Sequence, residues 1–348
     1  MNRKVLLILP YYYSLKDSLR SGFAAHNYNV ASTSFYDQNN SLINKIDIKT
    51  TGFPFKFRKY WNDWLIGSTQ QKYLNLNDSF KPDIVVIYNN EHVSPATIEK
   101  FRKKSKIVFI LGDHPLMSKT DPYNLLILEQ ADCIVCPDSY WKDELELLGI
   151  KNIVLDFIGT NQDIFFPIIN DKVNFLTDIS FIGRTYRNAD GYKRALYLSK
   201  FTKYKLMLYT HYDSYWNVWL KSFPKLEEHI QYLPTPLSSS EVNKIYNNSA
   251  LAPIDSNSGL INGIHLRFFD ILSAGCLPII EYKSDYEKIF KGFELPLIKN
   301  YNDVESVVNK WLNDVDQRNK FVSELRNYTF QKYNPADFIN RILSFLYG

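Results

Sequence analysis

The sequence predicts an α/β protein made of two parallel-sheet domains, and three observations predict it. Short, wholly apolar runs recur along the chain, each followed by a turn and a longer amphipathic stretch, the pattern of strands covered by helices on both faces. The chain has 348 residues, long for one core and suited to two at the usual domain size of roughly 150 residues. The series is interrupted at 161–172 by the polar, proline-containing NQDIFFPIINDK and then begins again.

The first strand is VLLIL at 5–9. Its basic start could suggest a secretion signal, but the apolar run is too short. Three tyrosines and the charged SLKDSLR follow where a small-residue cleavage site would stand, so a buried strand fits better. Further strands are DIVVIY at 83–88, KIVFIL at 106–111, CIVC at 133–136 and NIVLDFI at 152–158. Between them ATIEKFRKK at 96–104 and SYWKDELELLG at 139–149 read as helices, the second stopping on Gly149. Residues 1–162 thus form a first Rossmann-like domain. The second, 163–330, has strands at TDISFIG (177–183), KLMLYT (205–210), ALAPID (250–255) and CLPIIEY (276–282), with helices at 265–275 and from 304 onward. The last stretch, 331–348, is apolar at helical spacing.

Composition narrows the function classes. With 45% hydrophobic residues, 25 Tyr, 23 Phe and 6 Trp, the chain has ample material for packed cores and is not disordered. Lys plus Arg at 41 against Asp plus Glu at 37 leaves +4, too little for wholesale nucleic-acid coating. Three cysteines cannot build a disulfide framework, which points to a reducing compartment. Cys133 and Cys136 fall within a strand and read as core thiols; a zinc site would need ligands that no second CxxC or HxxxH supplies. No apolar run approaches the ~18 residues of a membrane span, so a cytoplasmic location is expected. A GxGxxG after the first strand, a Walker lysine motif, a GxSxG elbow and an HExxH are all missing, which disfavours dinucleotide, ATPase, α/β-hydrolase and zincin chemistry.

Two stretches of the second domain carry the chemistry. IGRTYRNADGYKRALYLSKF from 182 sets Gly183 and the cations Arg184, Arg187, Lys193 and Arg194 between a strand and a helix, where amides and guanidinium forks can hold phosphate oxygens. A solvated basic loop would read the same way. SGLINGIHLRFFDILSAGCLPIIEY at 258–282 brings Gly263 and His265 into a helix bearing Arg267 and, one turn on, Asp270. A cation at the helix start suits a diphosphate, and a carboxylate one turn further suits the hydroxyls of a ribose. The bland alternative is a local Arg–Asp pair of about 0.3–0.5 kcal/mol. Tyr209, closing KLMLYT, is grouped with this donor-binding set.

In the first domain Asp113 and His114 follow KIVFIL and project from its carboxyl end, which makes them the candidate catalytic pair. Asp113 could equally cap the next helix or tie the turn before Pro115. Glu91 and His92, after DIVVIYNN, are the reserve pair. Residues 53–65, FPFKFRKYWNDWL, interleave Lys56, Arg58 and Lys59 with aromatics: either a surface for anionic lipid or an amphipathic helix whose aromatics pack inward. HYDSYWNVWLKSF at 211–223 offers rings for stacking or for burial.

These residues together resemble the CgeB-like, spore-maturation-protein-like glycosyltransferases of the glycosyl transferases group 1 type. The likeness lies in FIGRTYR at 181–187, KIYNNSALAPI at 244–254, GIHLRFFDILSAG at 263–275, LGDHP at 111–115 and FIGTNQDIFFP at 157–167. His265 stands where that family usually has asparagine, and Asp270 where it usually has glutamate. The resemblance implies a GT-B fold, two Rossmann-like domains facing each other across a cleft, with the final helix crossing back to the first. It also implies transfer of a sugar from a nucleotide diphosphate donor to an acceptor held by the first domain. No DxD motif suits a divalent ion, so neither a metal nor another cofactor is expected. The expected acceptor is a precursor of a cell-surface glycan, glycolipid or polysaccharide, lipopolysaccharide included, met at the inner face of the membrane. A sugar-nucleotide epimerase and a noncatalytic nucleotide-sugar- or glycan-binding module are the alternatives.

Overall fold

The structure, a computed structural model, describes residues 3–10, 14–35, 55–89, 91–116, 124–168, 175–212, 215–256 and 258–348. The chain divides into two compact units, Met1–Ile158 with Pro335–Gly348, and Gly159–Asn334.

Unit 1 is built on a parallel sheet of β1 (Lys4–Ile8), β2 (Asn29–Thr33), β3 (Ile84–Tyr88), β4 (Lys106–Ile110), β5 (Cys133–Cys136) and β6 (Ile153–Leu155), in the order β2-β1-β3-β4-β5-β6. Val5–Ile8, Ile84–Ile87 and Ile107–Ile110 are buried at every position because helices cover both faces. That is why these strands read as continuous apolar runs. β2 escaped the sequence reading: NVAST is buried only at Thr33, since an edge strand has one unpaired side and less apolar cover. Cys133 and Cys136 are buried in β5, and burial pushes the Cys133 thiol up to about 12, the mark of an inert core thiol.

The last helix, Pro335–Tyr347, belongs to unit 1 and starts on a proline at its first position. Two contacts pin it. His26 Nε2 lies 2.9 Å from the Ala336 carbonyl. Arg341 forks onto Asp156, Nε to Oδ2 at 2.7 Å and Nη2 to Oδ1 at 2.8 Å.

A long helix, Phe55–Phe80, carries most of the 53–65 segment; positions 53 and 54 lie outside the described residues. Leu65, Thr69 and Tyr73 face inward. Phe57, Tyr60 and Trp64, at i, i+3 and i+7, face outward and are 70%, 74% and 53% exposed. Among the described residues no helix is long and apolar enough to cross a membrane.

Unit 2 holds β7 (Thr177–Ile182), β8 (Leu206–His211), β9 (Ile230–Leu233), β10 (Ser249–Ile254), β11 (Leu277–Glu281) and β12 (Leu297–Ile298), ordered β12-β11-β10-β7-β8-β9 and all parallel. Counted within the unit, this is the 3-2-1-4-5-6 order of dinucleotide-binding domains. The chain changes direction across the sheet between β7 and β10, and in open sheets of this order the crevice for ligands lies at the carboxyl ends of such a pair. The edge strands β9 and β12, like β2, were not legible. The stretch from 304 is two helices, Val304–Asn313 and Val315–Lys332, because the Asp314 carboxylate accepts the Gln317 N–H at 2.9 Å and starts the second. The aromatic segment at 211–223, of which 213 and 214 lie outside the described residues, begins at His211, the end of β8, and contains the short helix Trp216–Trp219. Trp216 is buried there and Tyr215 exposed.

Candidate functional site

The two informative loops of the sequence leave β7 and β10, the pair that flanks the crevice. Gly183 follows β7 directly and donates its N–H to the Tyr209 carbonyl at 3.0 Å, extending the β7–β8 ladder by one residue. A Cβ at Gly183 would stand 2.9 Å from the Phe181 ring and 3.6 Å from Arg267 Nη2. The missing side chain is what makes room for the Phe181 ring, on which the Arg267 guanidinium lies.

Arg267 opens the helix Arg267–Ser273. Its N–H donates to Nδ1 of His265 at 3.1 Å, which assigns the neutral ring's hydrogen to Nε2. His265 in turn donates its main-chain N–H to the Tyr286 hydroxyl at 3.3 Å. Burial, reinforced by the Arg267 charge, pushes the His265 imidazole down to about 3, so the ring is neutral at physiological pH. The Arg267 guanidinium lies 5.1 Å from the centre of the Phe181 ring, within cation–π reach.

Gly183, the Tyr209 main chain, His265 and Arg267 are therefore brought together. Arg184 joins them through its carbonyl, which accepts from Arg194 Nη1, while its residue is exposed. Gly263 is buried in the loop that leads to His265. Arg187 is set apart, its guanidinium 4.6 Å from the centre of the Tyr215 ring. Asp270 stands one turn beyond Arg267, and its Oδ1 accepts the Thr160 hydroxyl at 3.1 Å.

Of the four cations read in the first loop, two belong to the helix Ala189–Ser199 and are already paired. Lys193 binds Glu281 at 2.7 Å, and Arg194 donates Nε–H to Asp255 Oδ2 at 2.6 Å. Sequence reasoning missed both carboxylates. Asp255 is the first residue past β10 and Glu281 the last of β11, so an acidic residue closing an apolar run was the available signal. Glu281 also accepts from the Ser256 N–H and the Tyr301 hydroxyl, each at 2.9 Å, and so ties the loop after β10 to β11.

In unit 1, Asp113 is exposed on the loop at the carboxyl end of β4. Gly112 donates its N–H to Asn89 Oδ1 at 2.6 Å, and Asn124 Nδ2 donates to the Pro115 carbonyl at 2.7 Å. His114 is buried against Trp141. Its Nδ1 accepts the Leu116 N–H at 3.2 Å, and its Nε2 lies 3.2 Å from Glu144 Oε2. His114 thus closes the loop on itself through the Leu116 N–H, two residues on. The reserve pair follows β3. Glu91 is buried and accepts from the Ser34 hydroxyl, the Phe35 N–H and the Tyr73 hydroxyl; His92 has φ +50° and packs its ring on Phe35. Among the described residues no group of three or more His, Cys, Asp or Glu is placed to share a metal ion.

Two parallel-sheet Rossmann-like α/β domains of this kind make the GT-B architecture, and solved structures match the chain along its length. Sucrose-phosphate synthase from Thermosynechococcus elongatus is 11% identical, with 99% of each chain covered and a TM-score of 0.70. The E. coli trehalose-6-phosphate structure bound with UDP-2-fluoro glucose is 12% identical, with 99% of each chain covered and a TM-score of 0.63. UDP-GlcNAc 2-epimerase from Methanocaldococcus jannaschii is 15% identical, covering 99% of this chain and 100% of that one, with a TM-score of 0.56. At such identities the likeness is one of fold. Residues 201–344 match the family model described as glycosyl transferase-like, a stretch that includes β8 to β12 and the Arg267 helix. No curated protein sequence matches the chain.

Proposed function

We propose that the chain is a glycosyltransferase that takes a sugar from a nucleoside diphosphate donor bound by unit 2. The observation that carries this reading is Arg267 itself. Its guanidinium sits beside Gly183 at the β7–β10 crevice, with Nη1 turned inward toward Asp255 and the side chain still 18% exposed. The accessible edge of a guanidinium fixed in this way is a donor for an oxyanion. In sugar transfer the negative charge builds on the departing diphosphate, where a fixed guanidinium and loop amides stabilise it without a metal ion. Asp270, one turn on, is assigned to the ribose hydroxyls, reached beside Thr160.

The acceptor is assigned to unit 1, with Asp113 as the proton acceptor and His114 as the side chain that orients its loop. A precursor of a cell-surface glycan, glycolipid or polysaccharide fits the outward Phe57, Tyr60 and Trp64, which suit a membrane surface where such acceptors reside. The narrower CgeB-like assignment rests on the motifs at 181–187 and 263–275.

A thermal-shift panel of UDP, GDP, dTDP and CMP compounds tests the reading, because a ligand that binds only the folded state raises its melting point. One of the diphosphates is expected to raise it for the native protein and to fail with Arg267→Ala. No shift at millimolar concentration from any of them would remove the donor site. The epimerase reading, favoured by the likeness to a UDP-GlcNAc 2-epimerase, predicts conversion of the sugar nucleotide in the absence of any acceptor, which product analysis detects directly.

A further inference from the structure

The carboxylate nearest to Arg267 is Asp255, which is 3% exposed. It serves two guanidiniums unequally. Arg194 holds Oδ2 in a short hydrogen bond of 2.6 Å and also reaches the Arg184 carbonyl, which braces the loop after β7. Arg267 Nη1 lies 3.7 Å from Oδ1, an ion-pair distance that is too long for a hydrogen bond. Both Asp255 Oδ1 and Arg267 Nη1 are buried without a hydrogen-bond partner. The two guanidiniums share one more support, the Phe181 ring, whose centre is 5.5 Å from Arg194 and 5.1 Å from Arg267. Burial pushes the Asp255 carboxyl up, but Arg194 and then Arg267 outweigh it, so the group is held below its ordinary value and stays ionised.

One anion between two cations leaves a cluster of charge +1 at the crevice. A full Asp255–Arg267 bond would neutralise the very group a diphosphate needs. With Asp255 absent, two guanidiniums on one ring would repel and Arg267 would lose its charged anchor. The long contact does neither.

We propose that Asp255 is a positioning residue: fixed by Arg194, it holds Arg267 over Phe181 by charge while leaving the Arg267 hydrogens for the diphosphate of the donor. This rests on the donor reading above and adds to it the residue that aims the guanidinium.

Isothermal titration of native protein and Asp255→Asn with inorganic pyrophosphate, UDP and uridine tests it. Asp255→Asn keeps the shape and an acceptor for Arg194 but removes the charge. Pyrophosphate and UDP are expected to bind about tenfold more weakly while uridine is unaffected, a separation that a general loss of structure would not produce. Arg194→Gln, an independent variant, leaves Asp255 to Arg267 alone; that pair closes, and pyrophosphate binding is expected to weaken as well. If both variants bind pyrophosphate as tightly as the native protein, or Asp255→Asn binds it more tightly, Asp255 is a bystander or a competitor and the proposal is overturned. If the native protein binds neither pyrophosphate nor UDP, and no other nucleotide of the panel, the donor reading falls and this proposal falls with it.

Discussion

His265 Nδ1 accepts the main-chain N–H of Arg267 at 3.1 Å, so the ring that stands ahead of the helix anchors its first residue. An imidazolium could not accept that bond, and the neutral form is maintained by burial and by the Arg267 charge.

A pH dependence follows from this contact. An unfolded histidine titrates near 6.5, whereas His265 in the fold is held at about 3. Between those values the unfolded chain binds one proton more, so stability is complete above pH 6.5 and is lost as pH falls toward 3, by up to about 1.4 kcal/mol per unit. Asp255, held below its ordinary value, stays ionised over most of that window. His265→Asn keeps an acceptor for the Arg267 N–H and cannot take up the proton. Urea unfolding at pH 7, 6, 5 and 4 is expected to show a flatter stability profile for His265→Asn than for the native chain; parallel profiles would mean that His265 titrates normally.

Gly183→Ala tests how tightly the crevice is packed. The new Cβ would press on the Phe181 ring at 2.9 Å, and that ring is fully enclosed beneath Arg194 and Arg267. Overpacking of this kind costs about 1–3 kcal/mol. The melting point is expected to drop by roughly 2–4 °C for each kcal/mol, with weaker nucleotide binding because Arg267 rides on the displaced ring. Native melting and binding together would show that the ring has room to yield.

For Asp113 the expected signature is a split between binding and turnover. Asp113→Asn should lower kcat by about 10²–10⁴-fold, the usual range for a general base, and leave the nucleotide-induced melting shift intact. Gly112→Ala should act in the same direction, since a Cβ there would overlap the Tyr88 hydroxyl and push the loop out of place. An Asp113→Asn enzyme with native kcat would move the base assignment to the Glu91–His92 loop.

The Arg341–Asp156 fork should matter to unit 1 rather than to catalysis. Asp156 is nearly buried, and removing its partner leaves a carboxylate poorly satisfied, at a cost of about 1–3 kcal/mol. Arg341 is partly exposed, so the lower half of that range is expected for Arg341→Ala, with Arg341→Lys recovering the charge but not the two-bond geometry. Thermal unfolding of the full chain measures both. A melting point unmoved by either substitution would show that the apolar face of the last helix suffices.

Phe57, Tyr60 and Trp64 give the membrane reading a direct test. Replacing all three with serine is expected to abolish co-sedimentation with vesicles containing anionic lipid while leaving the melting point near native, because the rings are exposed. Native protein that stays in the supernatant at low salt would argue for an acceptor in solution.

The sequence by itself determined the class of fold and the two loops to watch. β1, β3, β4 and β5 are buried on both faces, so they must be apolar throughout and announce themselves as runs; β2, β9 and β12 lie at sheet edges, where no such demand exists, and stayed silent. Gly183, His265 and Arg267 were legible because a glycine after a strand and a cation at a helix start are local patterns. Tertiary structure alone decided how the charges pair. Arg184, Arg187, Lys193 and Arg194 look alike in one dimension, yet Arg194 is consumed by Asp255, 61 residues away, and Lys193 by Glu281, 88 residues away. It also set His114 beside Trp141 and Glu144, neighbours 27 and 30 residues away. The physical reason is the same in each case: a hydrogen bond or ion pair depends on distance in space, and chain order sets that distance only within a turn or two.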